Sequence, residues 1–437
     1  MEQAPRIGRT RWTVLAMLFA VTVINYADRA TLSLAAPSLS NDLGIDKLEL
    51  GIVFSAFGWA YVAAQIPGGW MLDRFGAVRV YLSAIMLWSM FTAAQGAVVW
   101  LSGSAAITAL FAFRFMVGLA EAPSFPGNAR IVATWFPSRE RGTASAIFNS
   151  AQYAATVVFA PVMGLIISGF GWPWVFVFMG VAGLIAAGVW TKVVHEPRHH
   201  PRVSEAELAM IAEGGALVDP PATEGPRPKD ADIGRKVRVL LTTPTLLGLY
   251  LAQFFINALT YFFITWFPVY LVEERGMNVI NAGLFATVPA VCGFIGGVLG
   301  GVFSDWLLRR GFSLTAARKI PVVAGMLLAL TILGCNYATS NIVVLIFMSM
   351  AFFGKGIGAL GWAVMADVAP RDSAGLSGGI FNMFGNLSSI VTPIVIGYIL
   401  FHTGSFDLVL SLVAACALAA ALSYLLLVGK IQRIGAD

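Results

Sequence analysis

Charge is scarce in this 437-residue chain: 12% of its residues are Asp, Glu, Lys or Arg, against about 25% in a soluble globular protein. Cysteine and histidine are nearly as rare. Cys292, Cys335 and Cys416 all fall in apolar runs without metal-ligand spacing, which excludes a disulfide framework and a zinc site. No Gly-x-x-x-x-Gly-Lys-Ser/Thr loop occurs, so ATP is not expected to drive whatever the chain does, and no cofactor is called for. What is abundant is apolar: 58% of residues are hydrophobic and mean hydropathy is +0.79. About twelve runs of membrane-crossing length follow one another, leaving no room for a sizeable soluble domain. The expected fold class is therefore an all-α membrane protein of twelve transmembrane helices, because unpaired backbone is not tolerated in lipid. The first run is too long for a cleaved leader and is expected to remain as the first helix.

The basic balance, pI near 9.2, raises the question of a nucleic-acid partner, but the placement of the charges answers it. Arg29, Arg114 and Lys355 lie inside spans, Lys47 and Arg275 lie in one set of loops, and all other cations lie in the termini and the alternate loops. That is the positive-inside pattern, and it places both termini in the cytoplasm.

An internal repeat divides the chain. Pro137, Gly142, Ile147-Phe148-Asn149 and Gly164 reappear 233 residues later as Pro370, Gly375, Ile380-Phe381-Asn382 and Gly397, and Gly69 with Asp73 reappears 232 later as Gly301 with Asp305. Three segments follow: a six-helix half over 1–194, a linker over 195–243, and a second six-helix half over 244–437. Repeats of this kind place a ligand site between the halves near the bilayer midplane. In the linker, Ser204-Glu205-Ala206-Glu207 is a capping-box signature for one short surface helix, and His195, His199 and His200 read as solvated.

The spans carry five charges, Asp28, Arg29, Arg114, Glu121 and Lys355. Each costs roughly 2.5 to 3.5 kcal/mol at mid-membrane on insertion scales, so each is a functional candidate. Arg114 and Glu121 are seven apart on one face of the fourth helix; a structural ion pair is the plainer reading of them. With both acids ionised the five sum to +1, and with both protonated to +3. Protonation thus favours an anion, and a bound anion favours protonation, which is the reciprocity a proton symporter needs. Lys355 stands near the repeat position of Glu121, so it and Arg29 project from opposite halves, placed to hold one carboxylate each of a dianion. The plainer alternatives for Lys355 are a partnership with Asp367 or snorkelling. Tyr26, Tyr61, Gln152, Asn257, Trp362 and Asn382 are candidate hydroxyl partners, with interhelical glue as the competing reading. The many Phe and Trp read most simply as lipid-facing or interface packing.

Gly69-x-x-x-Asp73-Arg74-x-Gly76-x-x-Arg79, between the second and third spans, resembles the signature loop of the major facilitator superfamily. More narrowly, Asn25-Tyr26-x-Asp28-Arg29-Ala30-Thr31-Leu32-Ser33, Leu119 to Asn128 and Phe353 to Trp362 resemble the anion:cation symporter family, and within it the bacterial proton symporters of D-glucarate and galactarate. The resemblance implies a transporter of the bacterial inner membrane that works as a monomer and is not an enzyme. It implies proton uptake at Asp28 and Glu121, coupling through Arg114, substrate contact at Arg29, Tyr61 and Gln152, and gating at Gly69, Asp73, Arg74, Gly76 and Arg79. Lys355 looks like the dicarboxylate-handling members. The readings kept beside this one are a symporter for an aldonate such as galactonate or for a hexuronate, an organic anion exchanger, and a membrane sensor of sugar acids.

Overall fold

The structure is a computed structural model that describes residues 8–137, 140–218, 233–370 and 374–434, without the side chains of Asp73, Ala146, 233–236 and 374–375. Twelve helices among these residues are long and apolar enough to cross a membrane. In chain order they are α1 (Thr10–Leu43), α2 (Lys47–Leu72), α3 (Ala77–Trp100), α4 (Gly103–Trp135), α5 (Arg141–Phe170), α6 (Trp172–Val193), α7 (Pro244–Glu274), α8 (Val279–Arg309), α9 (Leu314–Tyr337), α10 (Asn341–Val368), α11 (Leu376–Thr403) and α12 (Asp407–Leu427). No strand occurs among the described residues.

Two spans are interrupted beside their buried charges, and α7 is irregular without one. α4 is interrupted at Ala122-Pro123, immediately after Glu121. Its repeat counterpart α10 is interrupted at Gly358 to Leu360, just beyond Lys355. α7 widens into π-helix at Phe262–Trp266 and Tyr270–Glu274, a geometry found mostly where function demands it. Broken spans leave polar backbone at mid-membrane, tolerated only beside protein or a cavity.

The two halves meet backbone to backbone. A Cβ on Gly51 of α2 would lie 2.6 Å from the Pro393 carbonyl of α11, and one on Gly397 would lie 2.5 Å from the Lys47 carbonyl. Across the other seam, a Cβ on Gly283 of α8 would lie 2.6 Å from the Ala160 carbonyl of α5, and one on Gly164 3.0 Å from that of Val279. Only hydrogen fits at the three closest of these approaches. Near the first seam Lys47 pairs with Glu273, joining the halves at the face opposite the termini.

At the terminal face the linker docks rather than floats. Ser204 caps the surface helix Glu205–Glu213 by accepting from the Glu207 amide, as the motif predicts. The Glu207 carboxylate does not reach back to Ser204; it accepts from the Thr10 and Arg11 amides at the start of α1 and from the Arg11 guanidinium. An anion at a helix N-terminus is favoured by the helix dipole. His200 is buried, not solvated: its ring lies 5.3 Å from Trp135 and its Nε2 meets the Val193 carbonyl. A second surface helix, Ile233–Thr242, was not anticipated.

The tryptophans divide: Trp59, Trp70, Trp100, Trp174 and Trp306 are exposed on the helical surface, as expected, and five others are not. Trp88, Trp135, Trp172, Trp190 and Trp266 are fully buried. Four of their indoles find acceptors, namely the carbonyls of His195, Val78 and Pro393 and the Asp42 carboxylate. A satisfied N–H removes the main cost of burying the ring.

Candidate functional site

The centre of the charge cluster is Arg29. Its Nε donates to Glu121 Oε2 at 2.9 Å and its NH2 to Asn25 Oδ1 at 3.3 Å. Its guanidinium lies 4.8 Å from the Tyr26 ring, 4.7 Å from Phe57 and 5.0 Å from Tyr61. Three aromatic faces on a desolvated cation, plus one charge-assisted hydrogen bond, hold that plane in one place. Glu121 is completely buried and Arg29 is 8% exposed.

The ion pair within α4 that was the plainer reading of Arg114 and Glu121 does not form. Arg114 donates to the backbone carbonyls of Asp28 at 3.4 Å and Arg29 at 2.9 Å, while Glu121 turns to Arg29 on α1. A seven-residue spacing places two side chains on one face but does not choose between partners on the next helix. Asp28 accepts from Thr92 of α3 at 2.7 Å through Oδ2. Four polar atoms of this cluster, Asn25 Nδ2, Asp28 Oδ1, Arg114 Nε and Glu121 Oε1, are buried and without a hydrogen-bond partner among the described residues.

Lys355 is buried, at 6% exposure, with its Nζ 5.2 Å from the Phe352 ring. Its expected alternative partner, Asp367, binds Arg318 at 2.9 Å instead. Gly354 and Gly356 press against the Gly325 and Gly293 carbonyls, which ties this turn to α9 and α8. No carboxylate pairs with Lys355 among the described residues.

The amide candidates form a second group. Asn382 of α11 donates to Gln65 Oε1 of α2 at 2.8 Å, so it joins the halves. Asn386, four residues on, donates to Asn382 and accepts from the Tyr261 hydroxyl. Asn257 accepts from Gln253 at 3.3 Å. Trp362 is half-exposed, edge-on to Phe381, beyond the break in α10. Gln152, whose amide leans on the Asn149 carbonyl, and Tyr26 line a cleft between α1, α5, α7, α8 and α10.

A sequence model of the major facilitator superfamily matches residues 18–393, most of the chain. The chain belongs to the major facilitator superfamily. It is 59% identical over 426 residues to the probable galactarate/D-glucarate transporter GudP of Escherichia coli (strain K12), covering 97% of this chain and 94% of the relative. It is 57% identical over 424 residues to the protein of the same name in Bacillus subtilis (strain 168), covering 97% and 93%. A crystal structure of a D-xylose–proton symporter superposes with a TM-score of 0.75 over 96% of this chain and 98% of that one, at 15% identity, which speaks to fold alone. This facilitator is a multi-pass membrane transporter, not an enzyme.

In the facilitator's loop after α2, Gly76 takes φ +86° at the turn into α3, a conformation that favours glycine. Arg74 stacks on Trp70 and Phe75, and Arg79 is exposed. Gly69 has open space around it, and the Asp73 side chain lies outside the described residues. Reading the sequence missed Asn25, Thr92 and Asn386 as members of the site. For Asn386 the signal was available, since it follows Asn382 by one helical turn.

Proposed function

We propose that this transporter imports a hexarate dianion, D-glucarate or galactarate, together with protons across the bacterial inner membrane by alternating access. The observation that carries the reading is the Arg29–Glu121 pair in its aromatic cage. One guanidinium serves a buried carboxylate of the protein, and the same fork suits a carboxylate of the substrate. When Glu121 takes a proton it releases Arg29, and the substrate carboxylate takes its place; when the substrate leaves, Glu121 returns to Arg29 and gives the proton up. Asp28, with one oxygen on Thr92 and the other unpartnered, is the second proton carrier, and Arg114, bound to the backbone carbonyls of Asp28 and Arg29, links the two. Two protons with one dianion make the cycle electroneutral.

A merely structural ion pair is expected to have its remaining polar atoms satisfied, since an unmet buried polar atom costs about 1–3 kcal/mol. The unpartnered atoms of the cluster support a titrating role. Lys355, without a carboxylate partner among the described residues, holds the second substrate carboxylate from the other half. Tyr26, Tyr61, Gln152, Asn257, Asn382 and Trp362 serve the hydroxyls between, and the loop from Gly69 to Arg79 gates. The substrate is the one for which the relatives are named; protons are the only coupling species, no cofactor takes part, a monomer suffices, and both termini face the cytoplasm.

The test is uptake into proteoliposomes of a panel of hexarates, hexonates and hexuronates under an imposed pH gradient. Acid-driven accumulation of hexarates, abolished in Glu121→Gln and Asp28→Asn while exchange survives, is the expected result. Normal accumulation in either variant overturns the proton assignment. Counterflow that needs no pH gradient and survives loss of both acids would make the protein an exchanger.

A further inference from the structure

The cleft beside Tyr26 is more apolar than a hexarate requires. Besides Tyr26, Gln152, Tyr153, Thr156 and Thr260, its wall consists of apolar side chains, among them Leu34, Phe263, Ile264, Phe267, Ala286 and Phe352. A hexarate offers hydroxyls or a carboxylate at every carbon, and most of that wall cannot meet them.

The repeat explains why the space exists. Gly51 and Gly283 make equivalent contacts at a shift of 232, which sets the register between α2 and α8. In that register Phe54 corresponds to Ala286 and Phe57 to Pro289. On the α2–α11 side Phe54 packs edge-on against Trp266 at 5.3 Å, Phe57 stacks on Tyr61, and Gly58 closes on Ser389. On the α5–α8 side Ala286, Pro289, Ala290 and Thr156 stand at the matching positions and line the cleft. The ring that packs across one seam at Phe54, and the ring at Phe57 that lies against Tyr61 and Arg29, therefore have no counterpart on the other side.

The cleft also has a charged boundary. Arg29 stacks on Tyr26 and Lys355 on Phe352, and both rings are part of its wall. An apolar compartment flanked by two cations suits an anion with an apolar extension.

We propose that this cleft is a second compartment of the binding site, which takes an apolar substituent carried by a sugar acid whose free carboxylate is held at the cationic boundary; N-alkyl monoamides of a hexarate are the ligand class. The inference rests on the proposed sugar-acid site for its anchor. Ala286 is the residue that keeps the compartment open.

The test is competition by N-methyl through N-hexyl monoamides against labelled hexarate uptake, paired with thermal stabilisation of the protein in nanodiscs by the same series. In the unaltered protein affinity should rise about threefold to fourfold per methylene, the gain for burying one such group, until the compartment is full. Ala286→Phe restores the ring found at position 54 and should flatten the series while hexarate uptake persists; Ala286→Leu should truncate it at shorter chains and serves if the phenylalanine variant fails to fold. A flat series in the unaltered protein overturns the proposal. So does a rise that both variants retain, which would mean that the alkyl group sits elsewhere. If hexarate itself is not transported, the sugar-acid reading fails, and the stabilisation series alone decides the compartment: a rise lost in Ala286→Phe sustains it, and a flat series overturns it.

Discussion

The two halves share a helical plan and differ in what they bury. In the first half Arg29, Arg114, Asp28 and Glu121 form one knot across α1, α3 and α4. In the second half the shared Ile-Asn pair, Ile24-Asn25 and Ile256-Asn257, puts Tyr261 at the place of Arg29, and its hydroxyl binds an amide, Asn386. Lys355 is the single buried cation among that half's described residues. Charge handling is thus concentrated on one side of the substrate path and neutral hydrogen bonding on the other. A ligand with charge at both ends must engage both halves, and this gives the halves a reason to move together only when it is bound.

The largest expected effect separates the two cations. Arg29→Lys removes the planar fork from its aromatic cage, and buried charge-assisted hydrogen bonds of about 1.5–3 kcal/mol predict a loss of roughly 10- to 150-fold in kcat/KM for uptake. Lys355→Arg should be milder; the reverse order would erase the proposed division of labour. Next in size, Lys355→Asn should weaken hexarate binding about tenfold, or about 1.4 kcal/mol, and hexonate binding much less. Equal losses on both substrates would count against a carboxylate at each end.

The seams offer a third contrast. Gly51→Val and Gly283→Val each insert a side chain where the carbonyl opposite leaves only 2.6 Å for a Cβ. Overpacking of about 1–3 kcal/mol should shift the population toward states parted at the face opposite the termini, as read by spin-label distances across Lys47 and Glu273. The shift should be smaller for Gly283, whose seam has the cleft to yield into, and identical shifts would show that the cleft adds no slack. The smallest effect lies in the linker. Burial holds the His200 imidazole below its ordinary value, His195 and Arg202 push the same way, and the Val193 carbonyl opposes them. A depressed imidazole gives docking its full stability above the ordinary value near about 6.5 and loses it as pH falls through the folded value. Protease cleavage after Arg202 should therefore quicken on acidification, and His200→Phe should remove that dependence.

Hydropathy alone gave away the twelve spans, and the repeat gave away their grouping, because both are properties of order along the chain. The identity of the buried charges was equally legible, since a charge in a span is conspicuous. Their partners were not. Helical periodicity relates Arg114 to Glu121 within α4, but which guanidinium Glu121 meets depends on the distance between α1 and α4. Glu207 shows the same limit in the linker: its capping motif was correct for the backbone of its own helix, yet its carboxylate serves α1. The cleft was least legible, because it consists of two rings that a seam lacks, and an absence acquires a location only once the opposite seam is seen.

The glycine seams carry one more implication. Gly51 meeting the Pro393 carbonyl maps onto Gly283 meeting the Ala160 carbonyl, and Gly397 meeting Lys47 maps onto Gly164 meeting Val279, at shifts of 232 and 233. Four contacts thus reduce to two residues of one six-helix unit, each touching a copy of its neighbour around a two-fold axis. That is the pattern of an isologous dimer interface, in which one patch is its own complement. A single such unit, paired with itself, would already possess both seams, and joining two copies in one chain would then free each side to change on its own, as the rings at 54 and 57 and the small residues at 286 and 289 now differ.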